Sequence, residues 1–276
     1  MLAFYQSRIE IILNPQLTIH KYVVKHYPKT HRNDKMHEKT KEIITGFDNL
    51  ISENVKVNGL KTNADGIKGN PFFIGEKATD ARLDFNITRD IDFIQSDLIY
   101  TTGILYTLRP LINNPIAESK HFMGKQRATY FQNLYDSLYS MYASFCYEKL
   151  YNFWDRIGDK IATEFPSEFP NPKFIMFANV IDKIRANNSE NENLNWLFEF
   201  KDSDFREFNE RRKKVVHYEQ IETKYMESIL DNMSDMAKVE EIWNEKYSLP
   251  EFFKRHIELT NKGIENTYAF VENKRK

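Results

Sequence analysis

The fold of this protein is decided by one long stretch, residues 126–165, which reads QRATYFQNLYDSLYSMYASFCYEKLYNFWDRIGDKIATEF. Large apolar side chains recur through it every three or four residues, from Leu134 to Ile161. That spacing is typical of an α-helix, which has about 3.6 residues per turn. The apolar residues fall on more than one face, as expected for a helix that is surrounded by other helices. We therefore predict that this helix forms the centre of an all-α, antiparallel helical bundle.

Further helices are predicted on both sides of this stretch. Gly and Pro number nine each in 276 residues, which is too few turn-forming residues for a many-stranded sandwich or barrel. Asp202 or Ser203 is expected to cap the third of the four additional helical runs. Apolar residues at helical spacing predict these runs at residues 79–109, 173–186, 202–232 and 249–274.

The N-terminal residues leave two interpretations open. Apolar residues alternate from Ile9 to Leu13, which allows a small hairpin or extended segment. The Asn14-Pro15 pair that follows allows a helix instead, because Asn is a good N-cap and Pro suits the first helical position. A turn-rich loop or small hairpin is expected at residues 55–75, where Asn-Gly and Asp-Gly pairs occur.

Two regions are expected along the chain. Residues 1–115 form an N-terminal helical region and residues 116–276 a helical bundle, and the two can also form a single domain. Residues 21–41 are basic and contain three histidines, His26, His31 and His37, and His20 directly precedes them. They are interpreted either as a phosphate-binding stripe, with Tyr22 and Tyr27 available for stacking, or as a solvated helix face and loop.

Composition excludes several classes of protein. Lys and Arg number 39 against 40 Asp and Glu, so nucleic acid could bind only at a local basic patch. Cys146 is the single cysteine, which excludes an intramolecular disulfide framework and a thiolate-rich metal site. No signal-peptide pattern and no run of about 18 apolar residues is present. We expect a cytoplasmic protein with no cofactor, no metal and no membrane contact.

The local basic patch lies in residues 205–218, which read FREFNERRKKVVHY. Five basic and two acidic side chains occur between Arg206 and Val216, in a chain whose net charge is -1. A phosphate group would be attracted to this segment more than to any other. The candidate phosphate-binding residues are Arg206, Arg211, Lys213 and Lys214.

Helix geometry separates the two most interesting residues of this patch. Arg212 lies in the apolar stripe of an ideal helix, so its charge needs a partner, such as Glu219 or Glu148, or must reach water. His217 lies about 140° away, on the flank of the helix. The two side chains would converge only through a second helix, and a two-fold dimer would supply one. The predicted stripe consists of Phe205, Phe208, Val215, Met226 and Leu230.

Arg212 and His217 form an Arg-x4-His pattern, followed by Tyr218, late in a predicted helical bundle. In this the sequence resembles the HEPN superfamily, and the stretch from Cys146 to Leu150 resembles that family's other core helix. The resemblance covers roughly residues 126–232. It implies an all-α, commonly dimeric domain. Many such domains are metal-independent ribonucleases of toxin–antitoxin, phage-defence and RNA-processing systems.

The resemblance also implies roles for individual residues. Arg212 and His217 would be catalytic, with the histidine moving a proton and the arginine stabilising charge on the phosphate. Cleavage would use the RNA 2'-hydroxyl and leave a 2',3'-cyclic phosphate. Glu148 and Tyr218 would support the site. The substrate would be bound by Lys213, Lys214, Arg211 and Arg206.

One position departs from the family pattern. Active members commonly have Asn directly after the motif arginine, whereas this chain has Lys213. Its charge should favour the neutral form of His217, which accepts a proton, but it also fits a domain that has lost cleavage. Two hypotheses follow. One is a homodimeric RNA endonuclease, with an antitoxin or another protein as a further partner. The other is a non-catalytic module that binds RNA, a nucleotide or a partner protein.

Overall fold

The structure is a computed structural model that describes residues 34–61, 81–170, 175–217 and 220–275. Contacts divide the chain into a unit of residues 1–48 and a unit of residues 49–276, and the second unit contains the apolar core. The elements are α1 (Asp34–Val57), α2 (Ala81–Leu108), a 3-10 turn (Arg109–Leu111), β1 (Lys120–Phe122), β2 (Lys125–Arg127), α3 (Leu134–Thr163), α4 (Phe177–Arg185), α5 (Glu192–Phe200), a π-helical segment (Lys201–Phe205), α6 (Arg206–His217), α7 (Ile221–Asp231), α8 (Met236–Tyr247) and α9 (Leu249–Arg275).

Helix α3 is the central helix, and the predicted all-α fold is confirmed. It packs against α2, α4, α6, α7 and α9, and Trp154 on its inner face is fully buried. A capping box between Asn133 and Asp136 starts the helix at Leu134. The predicted start at residue 126 was therefore wrong.

A short hairpin, β1–β2, lies upstream of α3 and is the reason why the helix starts late. Met123 and Gly124, at φ 50° and 74°, turn the chain between its two strands. A two-residue hairpin turn of this kind requires left-handed backbone at both positions. The sequence analysis did not predict a hairpin here.

The Asn58-Gly59 pair ends helix α1 rather than forming a hairpin turn. Gly59 has φ 64°, and the Leu60 amide donates to the Val55 carbonyl at 3.0 Å. Many helices end in this way, with a glycine in the left-handed backbone conformation just after the last helical turn. The predicted loop or hairpin at 55–75 was therefore wrong for its first three residues, and its part at 62–75 lies outside the described residues. The same holds for the alternatives considered for residues 1–27.

Helices α5 and α6 form one continuous run, joined by the π-helical segment. Phe200 and Phe205 are both buried although they are five positions apart in the sequence. That gap is too long for one face of an α-helix but fits a π turn, whose hydrogen bonds join residues five apart. The prediction that Asp202 or Ser203 caps a helix was wrong. The Ser203 hydroxyl instead donates to the Glu199 carbonyl at 2.7 Å, inside the run.

The helix predicted at 202–232 is interrupted after His217. Gln220 has extended backbone, with φ -65° and ψ 140°, and α7 begins at the next residue. The interruption changes which residues face the core, so Met226 is half-buried and Leu230 is exposed, contrary to the predicted stripe. The buried residues of α7 are Ile221, Glu222, Tyr225 and Ile229.

A buried charged cluster ties α3, α7 and α8 together. The Lys246 ammonium donates to Asp136 at 2.8 Å and to Glu222 at 2.9 Å, and all three side chains are almost fully buried. Tyr130 donates to Glu222, and the Ser140 hydroxyl does so at 2.7 Å. Buried charges are tolerated when they are paired and hydrogen-bonded in this way. The cluster fixes the start of α7 beside α3 and so positions the end of α6.

Candidate functional site

Helix α6 presents one polar side that ends at the motif histidine. Arg206, Glu210, Lys213 and His217 follow one another at steps of four, three and four residues, so they lie along one side of the helix. Arg206, Glu210 and Lys213 are exposed, and Lys213 pairs with Glu210 at 2.8 Å. His217 is the last residue of the helix, and its side chain lies outside the described part of the chain.

Arg211 and Lys214 lie on a different side of α6. Arg211 pairs with Glu207 at 3.0 Å and lies over the Phe252 ring, with 4.9 Å between the guanidinium carbon and the ring centre. Burial raises the pKa of the Tyr147 hydroxyl, and the nearby charge of Arg211 lowers it. Lys214 is exposed and makes no ion pair with any described residue. The structure therefore divides the predicted phosphate-binding residues between two sides of the helix.

Arg212 is held by stacking. Its guanidinium carbon lies 3.7 Å from the centre of the Tyr151 ring on α3, and the side chain is half-buried. Its Nε is buried and has no hydrogen-bond partner among the described residues. The ion pair with Glu148, one of the two suggested partners, is absent from the described structure, where Glu148 is exposed on α3. Glu219, the other suggested partner, lies outside the described residues.

Asp155 and Asp159 lie on the same side of α3 as Tyr151, about one and two turns further along the helix. Burial raises the pKa of Asp155, while the nearby Phe177 amide, Arg156 and Arg212 lower it. Burial also raises the pKa of Asp159 to about 6, while the charge of Arg156, 2.8 Å away, lowers it. The pair of Asp155 and Asp159 was not predicted from the sequence. Its signal is the four-residue spacing from Tyr151 to Asp155 to Asp159, which places all three on one helix face.

The remaining predicted residues have mixed outcomes. Tyr218 lies outside the described residues, so its supporting role stays a prediction. Cys146 is fully buried beside Thr102, and burial raises the pKa of its thiol, as expected for a cysteine that is not a nucleophile. Among the described residues, no group of His, Cys, Asp and Glu side chains could hold a metal ion.

His256 on α9 is buried. From the sequence, where Arg255 and His256 match no known motif, both residues are interpreted as surface. His256 packs between Phe208 and Phe252, with ring centres 5.4 and 4.4 Å away. Burial lowers its pKa to about 3, helped by the charges of Arg255 and Arg211. Its Nδ1 has no partner among the described residues. The interpretation failed for His256, although the adjacent Arg255 is exposed and pairs with Asp204.

The helical fold, with a basic helix late in the bundle and an Arg-x4-His pattern on it, defines a HEPN-type domain. A model of the Cthe2314-like HEPN family matches residues 100–272, which is more than half of the chain. The protein therefore belongs to this family, as the resemblance had predicted. No curated protein and no solved structure matches the chain significantly. No described helix combines the length and the apolar character needed to cross a membrane.

Proposed function

We propose that this protein is a metal-independent RNA endonuclease of HEPN type that acts as a homodimer. The arrangement of Arg212 supports this most directly. Its guanidinium is fixed against Tyr151 and has no carboxylate partner among the described residues. An arginine retained only for stability would be expected to have its charge paired. A stacked arginine that makes no ion pair with a described residue suits a phosphate, whose oxygens accept two parallel hydrogen bonds.

The other half of the chemistry is assigned to His217. A histidine near neutrality takes a proton from the RNA 2'-hydroxyl or gives one to the leaving 5'-oxygen. The hydroxyl oxygen then attacks phosphorus, the bond to the 5'-oxygen breaks, and a 2',3'-cyclic phosphate remains. Arg206 and Lys213 lie on the same side of α6 as His217 and would hold neighbouring phosphates.

We propose a homodimer because Arg212 and His217 leave the same helix in different directions. Arg212 and His217 are five residues apart on one α-helix, so they leave it about 140° apart. A composite site would combine Arg212 of one protomer with His217 of the other around a two-fold axis. The family resemblance suggests toxin–antitoxin or phage-defence systems as the setting for such an enzyme.

The departure at Lys213 is compatible with activity. Its ammonium is paired with Glu210 at 2.8 Å, so its charge is partly compensated before RNA binds. An incoming phosphate would compete for the same ammonium, as an exposed ion pair contributes little to stability and is easily exchanged. Because active members of the family commonly have Asn at this position, Lys213→Asn is expected to preserve or raise the cleavage rate, even though one phosphate contact is lost.

The test is cleavage of single-stranded RNA in EDTA. His217→Ala should lower the rate by about 10²–10⁴-fold, because the proton-transfer group is lost. Arg212→Ala should lower it by about 10²–10³-fold, because the charge on the phosphate is no longer stabilised.

Two matched variants control for general damage. His121→Ala removes an exposed histidine on β1, and Arg185→Ala removes an arginine that stacks on Phe198 as Arg212 stacks on Tyr151. Both should cleave like the wild type. RNA binding without cleavage by the wild-type protein would instead favour the non-catalytic module, and cleavage that requires added magnesium would contradict the mechanism.

A further inference from the structure

The turn of the hairpin β1–β2 carries apolar side chains that are exposed. Phe122, the last residue of β1, is 53% exposed, and Met123 in the turn is 86% exposed. Met123 also has left-handed backbone, with φ 50°, directly before Gly124. This conformation is costly for residues other than Gly, Asn and Asp, and those three are the usual residues at this position of a hairpin turn. Neither burial nor backbone preference therefore explains a methionine here.

The hairpin also carries three cations on one face. The register pairs Lys120 with Arg127 and Phe122 with Lys125, so these four side chains lie on the same face of the two strands. Like charges directly opposite each other destabilise a pair of strands. None of the three cations makes an ion pair with a described residue, and residues 119–135 contain no Asp or Glu. This arrangement lacks an anion that would balance it.

One further aromatic residue extends this surface towards α3. Phe131 is 61% exposed, and the Lys120 ammonium lies 5.7 Å from the centre of its ring. The Arg127 guanidinium lies over the Phe122 ring in a similar way, at 5.3 Å. Exposed apolar side chains that lie together usually mark a contact with another molecule. We call this set the hairpin surface, and it consists of Lys120, Phe122, Met123, Lys125, Arg127 and Phe131.

Three kinds of occupant fit the hairpin surface poorly. A second copy of this chain would bring its three cations against three others. An RNA strand would stack its bases on open aromatic faces. However, Arg127 and Lys120 already cover one face of Phe122 and of Phe131, and Met123 has no ring. A stable protein interface uses about 20–30 residues on each side, which is far more than these six.

An anionic lipid surface matches each feature. Apolar side chains enter the boundary between lipid headgroups and acyl chains, while the charged ends of Lys and Arg remain at the phosphates. Each cation close to an anionic membrane adds to the binding. The lipid phosphates would also balance Lys120 and Arg127, which repel each other across the two strands. The apolar side chain of Met123, which is exposed in water, would be covered.

We propose that the hairpin surface binds the surface of anionic phospholipid membranes, with Phe122 and Met123 inserted between the headgroups. Lys120, Lys125 and Arg127 contact the lipid phosphates. Such contact needs no spanning helix, so it is compatible with the character of the described helices. It departs from the expectation of no membrane contact, which was based on spanning segments and signal peptides. It does not rest on RNA cleavage by this protein.

The test is co-sedimentation of the full-length protein with lipid vesicles. Vesicles of equal parts phosphatidylcholine and phosphatidylglycerol should bind it at least about tenfold more tightly than pure phosphatidylcholine vesicles, because only the mixed vesicles are anionic. High salt should weaken this binding, since it screens exposed charges. Lys125→Ala should weaken it about fivefold, as expected for the loss of one cation near the membrane.

Met123→Asn separates membrane contact from a structural role. It should weaken vesicle binding at least about fivefold, because an apolar side chain is lost from the turn. It should also preserve or raise the thermal unfolding midpoint, because Asn tolerates left-handed backbone. A methionine that only stabilised the fold would give the reverse result, a lower midpoint with unchanged vesicle binding.

Two matched variants serve as controls. Met176→Asn replaces an exposed methionine at the N-cap of α4, where Asn is favourable. Lys238→Ala removes an exposed lysine on α8 that is paired with Glu241. Both proteins should bind the mixed vesicles like the wild type.

Three results would overturn the proposal: no binding to the mixed vesicles, equal binding to both kinds of vesicle, or equal binding by the wild type and the two hairpin variants. A 2'-O-methyl RNA strand, which resists cleavage, tests the remaining alternative. Its binding, lost in Met123→Asn and Lys125→Ala while vesicles do not bind, would assign the hairpin surface to RNA instead. None of these measurements involves cleavage, so failure of the endonuclease proposal would leave them unchanged.

Discussion

At the scale of single residues, Arg212 and His256 are alike in two ways. Each side chain packs against aromatic rings, and each has a buried nitrogen without a hydrogen-bond partner among the described residues. Arg212 stacks on Tyr151, and His256 lies between Phe208 and Phe252. The consequences differ because a guanidinium keeps its charge whereas an imidazole can remain neutral. Arg212 can attract a phosphate, and His256 stays an uncharged part of the core.

His256 should make the protein sensitive to acid. Its folded pKa of about 3 lies below the usual value of 6.5, so between these values the unfolded chain binds more protons than the folded one. Stability therefore falls as pH drops from about 6.5 towards 3. His256→Phe should remove this contribution, so the wild type should lose more stability than the variant between pH 7 and pH 5. Urea unfolding at several pH values measures the difference, and parallel curves would contradict the assignment.

Lys246 is expected to be the most sensitive charged residue of the core. Lys246→Met would leave the Asp136 and Glu222 carboxylates buried together without their cation. Breaking such a pair typically destabilises a protein by about 3–5 kcal/mol. Lys238→Met on the same helix is the control, because Lys238 is exposed and should leave the unfolding midpoint nearly unchanged. Equal midpoints for the two variants would show that the buried cluster is not a stabilising element.

At the scale of elements, the close packing of α9 on α3 can be tested at a glycine. A Cβ on Gly263 would lie 2.5 Å from a ring carbon of the fully buried Trp154. Gly263→Ala should therefore destabilise the protein by about 1–3 kcal/mol through overpacking.

Gly46→Ala is the opposite case, since a Cβ on Gly46 meets nothing within 4 Å in α1. It should stabilise the helix by about 0.5–1 kcal/mol. Thermal unfolding of both variants checks the signs, and a stabilised Gly263→Ala protein would contradict the described packing.

The elements also show what could be predicted from the sequence. The spacing of apolar residues predicted the existence of α3, though not its start, and predicted the bounds of α9 well, because each presents long runs of apolar side chains to the core. The same rule would have found His256, which lies three and four residues from buried Phe253 and half-buried Phe252. An interpretation based on its charged neighbour Arg255 missed this.

Other features could not be predicted from the sequence, because they depend on the tertiary structure. The interruption before Gln220 has no Gly or Pro to signal it, and apolar residues continue on both sides. The buried Lys246 cluster, rather than a local turn signal, accompanies the start of α7 there. The position of Arg212 within the apolar stripe was predictable, but its stacking on Tyr151 was not, because that contact joins helices distant in sequence.

At the scale of the whole molecule, the proposed composite site can be tested with mixed dimers. Arg212→Ala and His217→Ala proteins should each be nearly inactive. Mixed together, they would form dimers in which one site has both residues intact and the other has neither. With random exchange, about one quarter of wild-type activity should return, because half the dimers are mixed and each has one working site.

The controls for this mixing experiment are the two variants assayed separately at the same total concentration. Sedimentation of the wild type should show a dimer at tens of micromolar or below. Recovery of no activity on mixing, with dimers present, would mean that each site is formed within one protomer.

The central claim is that His217 and Arg212 cleave RNA without a metal ion, and the ends of the products test it most directly. Single-stranded RNA is incubated in EDTA with wild-type or His217→Ala protein, and the fragments are analysed by mass spectrometry. We predict fragments with 2',3'-cyclic phosphate ends from the wild type, about 10²–10⁴-fold fewer from the variant, and no cleavage of the corresponding DNA. Intact RNA with the wild type, equal cleavage by the variant, or fragments with 3'-hydroxyl ends would contradict the claim.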